Sequence, residues 1–378
     1  MVASLRFLES IDNLKPRVRL RFGREPSTEI AREIIACLLQ GRLFYEAASS
    51  APLEIRPLQL FYGMVGFSKA LIVASRCKSL STLRPAHGLK DVSAGGCRIA
   101  ELRVRIEAAG TFQEFNDVVA ALTRFCYHED SQPRSLLTPA AQSTQLQDLG
   151  LSLEDILGRI PTLEGLFRMT FGYDANTAPM NFVLDPVGGC QIRIDDQEKF
   201  VDRNSLKAIV TRWRQRFPFL EHWRVVEAAH AWGNSVIQLQ NRSNRNIDEF
   251  SEAALIDLKG SFMASPHTMG PQDTFPFSQH LAPFGGGYSG GPEYPIAPIC
   301  GIYLSEFSLH YLGLFLLSSL VRYRPQTWVH ALSRASTAQA PADDRALSLI
   351  ERFLELNSGS VPSMVATVLS PQEDTYLT

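Results

Sequence analysis

Residues 307–321 read FSLHYLGLFLLSSLV, the most apolar run in the chain, and Glu306 and Arg322 stand at its two ends. The run is shorter than the about 20 apolar residues that cross a bilayer, and His310 lies inside it. Because apolar side chains fall on all sides of a helix at this density, the run predicts a helix buried on nearly every face. The elements that cover this helix decide the fold.

A second apolar helix is predicted over residues 57–76, PLQLFYGMVGFSKALIVASR. Pro57 suits the first helical turn, and Gly63 and Gly66 predict a close approach to a neighbour, since glycine is otherwise costly in a helix. A helix with Ser27 or Thr28 as N-cap is predicted over residues 27–49. The early and late helices are both too apolar for the surface, so we expect them to pack together as one helical core.

The middle of the chain predicts β-structure. Residues 180–184 and 190–195 flank the turn DPVGG, a pattern typical of a hairpin, and a further strand is predicted at 236–240. Between them, apolar residues mark one face of an amphipathic helix: Leu206, Ile209, Val210, Trp213 and Phe217. The predicted fold class is α+β, with a predominantly helical core of N- and C-terminal helices and a smaller β-containing middle layer.

Other local patterns complete this reading. Strands are predicted at residues 15–22 and 98–108, and residues 130–150 are predicted to form an exposed connection. Further helices are predicted at 111–127, 153–171 with a break near Pro161, 299–323, 326–335 and 343–357.

Four regions follow from these elements. They are a strand plus helical region (1–135), a mixed α/β middle (136–263), a Gly- and Pro-rich loop (264–298) and a C-terminal helical region (299–378) that packs on the N-terminal helices.

Composition excludes several function classes. The 378 residues carry 37 Lys and Arg against 39 Asp and Glu, a net charge of −2, which excludes a globally basic nucleic-acid binder but allows a local patch. The six cysteines are scattered without paired spacing, and the first residues lack the apolar run of a secretion signal. We therefore expect a cytoplasmic protein with reduced thiols, no membrane segment, no metal and no cofactor.

Two groups of basic residues could contact nucleic acid. The predicted strand at 15–22 alternates arginine with apolar residues, which predicts one basic face. The amphipathic helix carries a second group beside Trp213, and arginine next to an aromatic ring suits a phosphate ligand. The alternative is an ordinary charged surface balanced by acids such as Asp196 and Glu198. The nucleic-acid candidates are Arg17, Arg19, Arg21, Arg203, Lys207, Arg212, Arg214 and Arg216.

Arg324 and His330 are the candidate catalytic residues. Their spacing resembles the signature of HEPN ribonucleases, in which the Arg and His of two protomers meet at a dimer seam and cleave RNA without a metal. An imidazole can move the 2′-OH proton while a guanidinium stabilises the phosphorane. On an unbroken helix the two side chains would point about 120° apart, so only a break at Pro325 could bring them together. The alternative is that Arg322 and Arg324 cap the C-terminal end of the apolar helix and that Trp328 packs in the core.

A third hypothesis concerns Ser289, which lies in Gly287-Tyr288-Ser289-Gly290-Gly291 and fits the GxSxG motif. A hydrolase elbow needs a strand before the serine and a helix after it, and Pro292 and Pro295 interrupt any such helix. A loop accounts for the motif more simply.

Three separated stretches resemble the YaaC-like proteins of bacteria. They are PLQLFYGM at 57–64 continuing to Ser68-Lys69-Ala70, then His87-Gly88-Leu89, then residues 310–328. The resemblance implies a cytoplasmic bacterial protein and, more distantly, an association with phage-defence genes. It implies no established activity, cofactor or catalytic residue. The residues that carry it are Tyr62, Gly63, Lys69, His87, Gly88, His310, Arg322 and Trp328.

Three functions are left open by the sequence. The first is a non-catalytic binding or regulatory component of a multi-protein system, with nucleic acid or a protein as partner and a homo-oligomer as a further expectation. The second is a metal-independent ribonuclease using Arg324 and His330. The third is a serine hydrolase using Ser289. The sequence does not decide between binding and catalysis.

Overall fold

The computed structural model describes residues 2–122, 125–129, 132–137, 143–185, 189–231, 233–240, 284–285, 294–332 and 344–369. Its helices are α1 Val2–Leu8, α2 Ile11–Phe22, α3 Thr28–Ser50, α4 Arg56–Arg76, α5 Thr111–Leu122, α6 Ser143–Leu146, α7 Leu153–Leu157, α8 Glu164–Phe171, α9 Arg203–Arg216, α10 Glu306–Tyr323, α11 Pro325–Leu332 and α12 Asp344–Leu369. Its strands are β1 Leu89–Asp91, β2 Arg103–Ile106, β3 Phe125–Glu129, β4 Gln132–Leu137, β5 Gly150–Ser152, β6 Asn181–Asp185, β7 Gly189–Asp196, β8 Arg224–Ala231, β9 Asn234–Gln240, β10 Phe284–Gly285 and β11 Tyr294–Pro295.

Helices α4 and α10 form the centre of the fold, as their composition predicted. Every residue of α10 from Glu306 to Leu320 is buried. The ring of Phe61 on α4 meets the ring of Tyr311 on α10 edge-on, with centroids 5.8 Å apart. One hydrophobic cluster runs from Leu5 to Leu369 through both helices. The early and late parts of the chain therefore share one core, and the α+β, mainly helical fold class is confirmed.

Helices α3 and α4 approach each other closely because glycines line their contact. A Cβ atom added at Gly66 would lie 3.0 Å from the backbone nitrogen of Gly41 and 3.1 Å from the carbonyl oxygen of Cys37. One added at Gly63 would lie 2.5 Å from the ring of Tyr45. The expectation that Gly63 and Gly66 mark a close helix contact is confirmed. The N-cap is Ser27, whose hydroxyl accepts from the backbone N–H of Ile30.

A second layer contains the four-stranded antiparallel sheet β6-β7-β9-β8 and helix α9. The apolar face predicted for α9 is buried against the sheet as a separate cluster, which also holds Trp223 and Ala297. The predicted hairpin is the pair β6–β7. A three-stranded sheet, β1-β2-β5, lies within the helical part of the chain.

The strand predicted at residues 15–22 is wrong, because these residues lie in helix α2. Leu14 and Val18, four residues apart, are fully buried, whereas Leu20 is 57% exposed. A strand would have placed Val18 and Leu20 on the same face. The alternation of arginine with apolar residues was therefore a coincidence within a helix whose core face has a spacing of four.

Other boundaries differ from the predictions. The helix predicted at 111–127 ends at Leu122, and β3 follows it. The strand predicted at 98–108 is short, because residues Ile99–Glu101 form a 3-10 turn before β2. Residues 130–150 include strand β4, and α10 begins at Glu306 after its cap Ser305, so residues 299–305 are not helical. Strand β8 was not predicted from the sequence.

One described helix, α4, is long and apolar enough to cross a membrane. In this fold 72% of its most apolar window is buried against other parts of the protein. Its composition is therefore accounted for by its place at the centre of the core.

Candidate functional site

A tight turn fixes His87 on the surface of the helical core. The turn needs Gly88, whose φ is +75° and whose Cβ would lie 1.8 Å from Oε1 of Gln113. The Gln113 amide donates to the carbonyls of Gly88 and Glu107, and the backbone N–H of Phe112 donates to the carbonyl of His87. Because glycine alone adopts this conformation freely, Gly88 determines where the imidazole points.

Two polar groups meet on the ring of Phe61. The imidazole of His87 lies 5.2 Å from the Phe61 centroid in an edge-on arrangement. The guanidinium of Arg322, at the end of α10, lies 5.7 Å from the same centroid and 5.0 Å from the ring of Tyr323. An arginine over an aromatic face is held by the ring quadrupole. Phe61 therefore brings together residues that are more than 200 positions apart in the chain.

Lys69, on α4, adds a second permanent positive charge. The pKa of His87 lies below its ordinary value because burial disfavours the imidazolium, and because Arg322 and then Lys69 repel it further. Among the described residues, no carboxylate lies within ion-pair distance of Lys69 or Arg322. We call Lys69, His87 and Arg322 the cationic cluster. Such a group of donors suits an anion, above all a phosphate.

A family model described as YaaC-like protein matches residues 18–369. The chain belongs to the YaaC-like family. No curated protein and no solved structure matches it. In this YaaC-like protein the cationic cluster consists of residues from all three stretches that carried the resemblance, and Tyr62 lies beside it with its ring 5.9 Å from that of Phe61.

The titration of His87 tests the geometry of the cluster. We expect its imidazole to titrate below the ordinary histidine pKa, and the pKa to rise in Arg322→Gln and in Lys69→Gln. Because the folded-state pKa is lowered, the unfolded chain binds more protons, so the stability that His87 affects falls as pH drops below its unfolded value. Proton NMR of the imidazole C–H resonances measures the midpoint. Lys207→Gln, on the distant helix α9, should leave it unchanged; equal titrations in all four proteins would contradict the arrangement.

The other family residues have structural positions. Trp328 is buried, and its indole N–H donates to the carbonyl of Glu54 at 3.0 Å. Gly63 lies in the α3–α4 contact. Phe61 and Tyr323 were not identified from the sequence, although both lie in the stretches of resemblance. The signal that could have identified Tyr323 is its position directly after the motif arginine, Arg322.

His310 belongs to a buried polar chain and not to the surface site. Tyr45 donates its hydroxyl to Oδ1 of Asn357 at 2.8 Å, so the Asn357 amide N–H faces Nδ1 of His310 at 3.1 Å. On the other side of the ring, Nε2 of His310 faces Oε1 of Glu306 at 3.5 Å. All four side chains are buried, which excludes a substrate from reaching them in this conformation.

The first predicted basic face is not a single face. On helix α2, Arg19 lies about 200° around the axis from Arg17 and Arg21. Arg19 is exposed and lies 3.7 Å from Glu25. The three arginines therefore do not form the continuous row that the predicted strand implied.

The second predicted group, on α9, is largely occupied by the protein itself. Arg212 pairs with Asp196 at 2.7 Å and with Glu198, Arg214 donates to the carbonyl of Trp223 at 2.5 Å, and Arg216 donates to the carbonyl of Thr177 at 2.7 Å. Lys207 and Arg203 are exposed. Asp196, Arg212 and Arg216 also line a cleft of roughly 640 Å³ between α8 and the second layer. The alternative of a balanced charged surface fits these contacts.

Arg324 is held by the loop after β1. Its guanidinium donates to the carbonyls of Ser93 and Ala94, both at 3.0 Å, and lies 3.7 Å from Asp91. The helix does break here, since α10 ends at Tyr323 and α11 begins at Pro325. The side chain of His330 and the whole of Ser289 lie outside the described residues, so the two catalytic readings stay predictions. No group of three metal-ligating side chains occurs in the described part of the chain.

Proposed function

We propose that this YaaC-like protein is a non-catalytic binding component that contacts nucleic acid through the cationic cluster. The observation that supports this function is that His87 and Arg322, from two separate segments, pack against the one ring of Phe61, with Lys69 close enough to His87 to disfavour its charged form. Arg322 and Lys69 both disfavour the charged form of His87, and an anion bound at this position would offset that repulsion. A phosphate backbone supplies that charge repeatedly.

The proposal also covers the cellular role of the protein. We propose a regulatory role in a cytoplasmic multi-protein system of bacteria, with phage defence as the setting that the family resemblance suggests and a homo-oligomer as the working form. The net charge of −2 favours local contact over wholesale wrapping of nucleic acid. A protein partner would then supply further contacts to the nucleic acid.

Charge removal from the cluster tests the proposal. We expect labelled RNA or DNA to bind with an affinity that falls as salt rises, and Lys69→Gln and Arg322→Gln each to weaken binding by about tenfold, because each loses a charge-assisted contact. Each substitution should also reduce the salt dependence by about one phosphate contact. Fluorescence anisotropy across a salt series measures both quantities.

Lys207→Gln is the matched control, since it removes the same charge from an exposed site on α9. If Lys207→Gln weakens binding and Lys69→Gln does not, the contact lies on α9 and the proposed site is wrong. No binding at low salt overturns the function. Cleavage of the nucleic acid in EDTA that His330→Ala abolishes would replace it with the ribonuclease.

A further inference from the structure

A row of aromatic rings runs from α3 across the cationic cluster to the end of α10. The centroids of Phe44 and Tyr62 are 5.8 Å apart, and those of Tyr62 and Phe61 are 5.9 Å apart. Arg322 continues the row at 5.7 Å from Phe61 and 5.0 Å from Tyr323. We give the name aromatic strip to five residues: Phe44, Tyr62, Phe61, Arg322 and Tyr323. Each member packs against the next, so the strip is one connected row of side chains.

Two of its rings are open to solvent. Tyr62 is 38% exposed and Tyr323 is 72% exposed, whereas Phe61 between them is fully buried. Tyr323 has its ring against the Arg322 guanidinium, and its exposure leaves much of the side chain uncovered. The strip thus presents the exposed ring of Tyr323 against the Arg322 guanidinium and the exposed ring of Tyr62 next to Phe61, on which His87 also packs.

Resting on the proposed function, we propose that the ligand of this surface is single-stranded nucleic acid, with bases stacked on Tyr62 and Tyr323 and phosphates on Lys69 and Arg322. A duplex offers phosphates but keeps its base faces stacked inside the helix. A single strand offers both, and alternating rings and cations are the pattern that such strands recognise without reading sequence.

The alternative of a folded RNA or DNA helix fits less well. Duplex binding rests on phosphate and groove contacts, for which an exposed tyrosine ring is not required. Each stacked base contributes a few kcal/mol to single-strand binding by alanine substitution, which makes the ring of Tyr323 the residue that separates the two ligands.

The experiment compares a labelled single strand with the duplex of the same sequence. We expect the single strand to bind more tightly, and Tyr323→Ala to weaken its binding about tenfold to a hundredfold while duplex binding changes less than about twofold. Tyr323→Phe should retain most of the affinity, because it keeps a ring. Tyr173→Ala, which removes a tyrosine that is 50% exposed away from the strip, is the control and should have no effect.

The outcomes separate the two proposals. If neither single strand nor duplex binds, the proposed function itself fails. If both bind, and Tyr62→Ala and Tyr323→Ala leave the single strand unaffected, phosphate contact stands and the stacking inference is overturned. RNA and DNA strands of one sequence complete the test. Equal affinity for the two supports recognition through base stacking and phosphate contacts alone. Complete loss of affinity for one of them overturns the inference that the surface binds a strand without regard to its sugar.

Discussion

Asn357→Ala is expected to destabilise the protein by about 3–5 kcal/mol, because it leaves two buried polar groups without their partner. The Asn357 side chain is fully buried, accepts from the Tyr45 hydroxyl at 2.8 Å and faces Nδ1 of His310 at 3.1 Å. Without the amide, both partners stay desolvated in the core with nothing to replace it. Urea unfolding followed by far-UV circular dichroism measures the loss, since helices make up most of the core.

Two further variants separate hydrogen bonding from cavity formation. Asn357→Leu fills the volume but still leaves Tyr45 and His310 unpaired, so we expect a similar loss. Tyr45→Phe removes only one member of the chain and should cost less. Gln40→Ala, at an exposed position of α3, should stay within about 0.5 kcal/mol. A leucine variant as stable as the natural protein would show that the buried chain contributes no net stability.

Gly66→Leu is the second large effect. Even a Cβ at this position would lie 3.0–3.2 Å from backbone atoms of Cys37 and Gly41, so a leucine side chain must push α3 away from α4. Overpacking of this kind costs about 3 kcal/mol or more, because the atoms in the way belong to a helix backbone and not to a flexible side chain. The same urea titration should show the unfolding midpoint move sharply down.

Gly359→Ala is the matched control for glycine replacement. Gly359 lies inside α12, and no atom lies within 4 Å of the Cβ that alanine would add. Alanine is the better helix former, so this variant should be stabilised by about 0.5–1 kcal/mol. If the free energy of unfolding of Gly66→Leu equalled that of Gly359→Ala, the close α3–α4 contact would be contradicted.

Helices with apolar residues on all sides were predictable in both position and role. The boundaries of α4 and the burial of α10 follow from composition, since such helices are stable in water only when other elements cover them. The sequence 15–22 was not predictable in the same way. Its alternating letters fit a strand locally, and the burial of Leu14 and Val18 against the rest of the helical core decided for a helix.

The candidate site was predictable only as separate pieces. Tyr62, Lys69, His87 and Arg322 were identified from the family resemblance, but nothing in their spacing indicates that His87 and Arg322 pack against the same ring, that of Phe61. The sequence pattern also could not show that basic residues of α9 are already paired within the protein. Arg212, Arg214 and Arg216 contact carboxylates and backbone carbonyls that lie elsewhere in the chain. Whether an arginine is free or occupied depends on neighbours in space.

The sequence by itself determined the mainly helical α+β class, the two central helices and the need for glycine where α4 meets a neighbouring helix, because apolar density and periodicity act over short stretches of chain. Only the tertiary structure decided which cations stay without a carboxylate and which rings reach solvent. Ion pairs and ring contacts form only between groups that lie close in space, so they depend on how α4, the His87 turn and the end of α10 pack together. That packing places Arg322 between Phe61 and Tyr323, with its Nε donating to the carbonyl of Ser318.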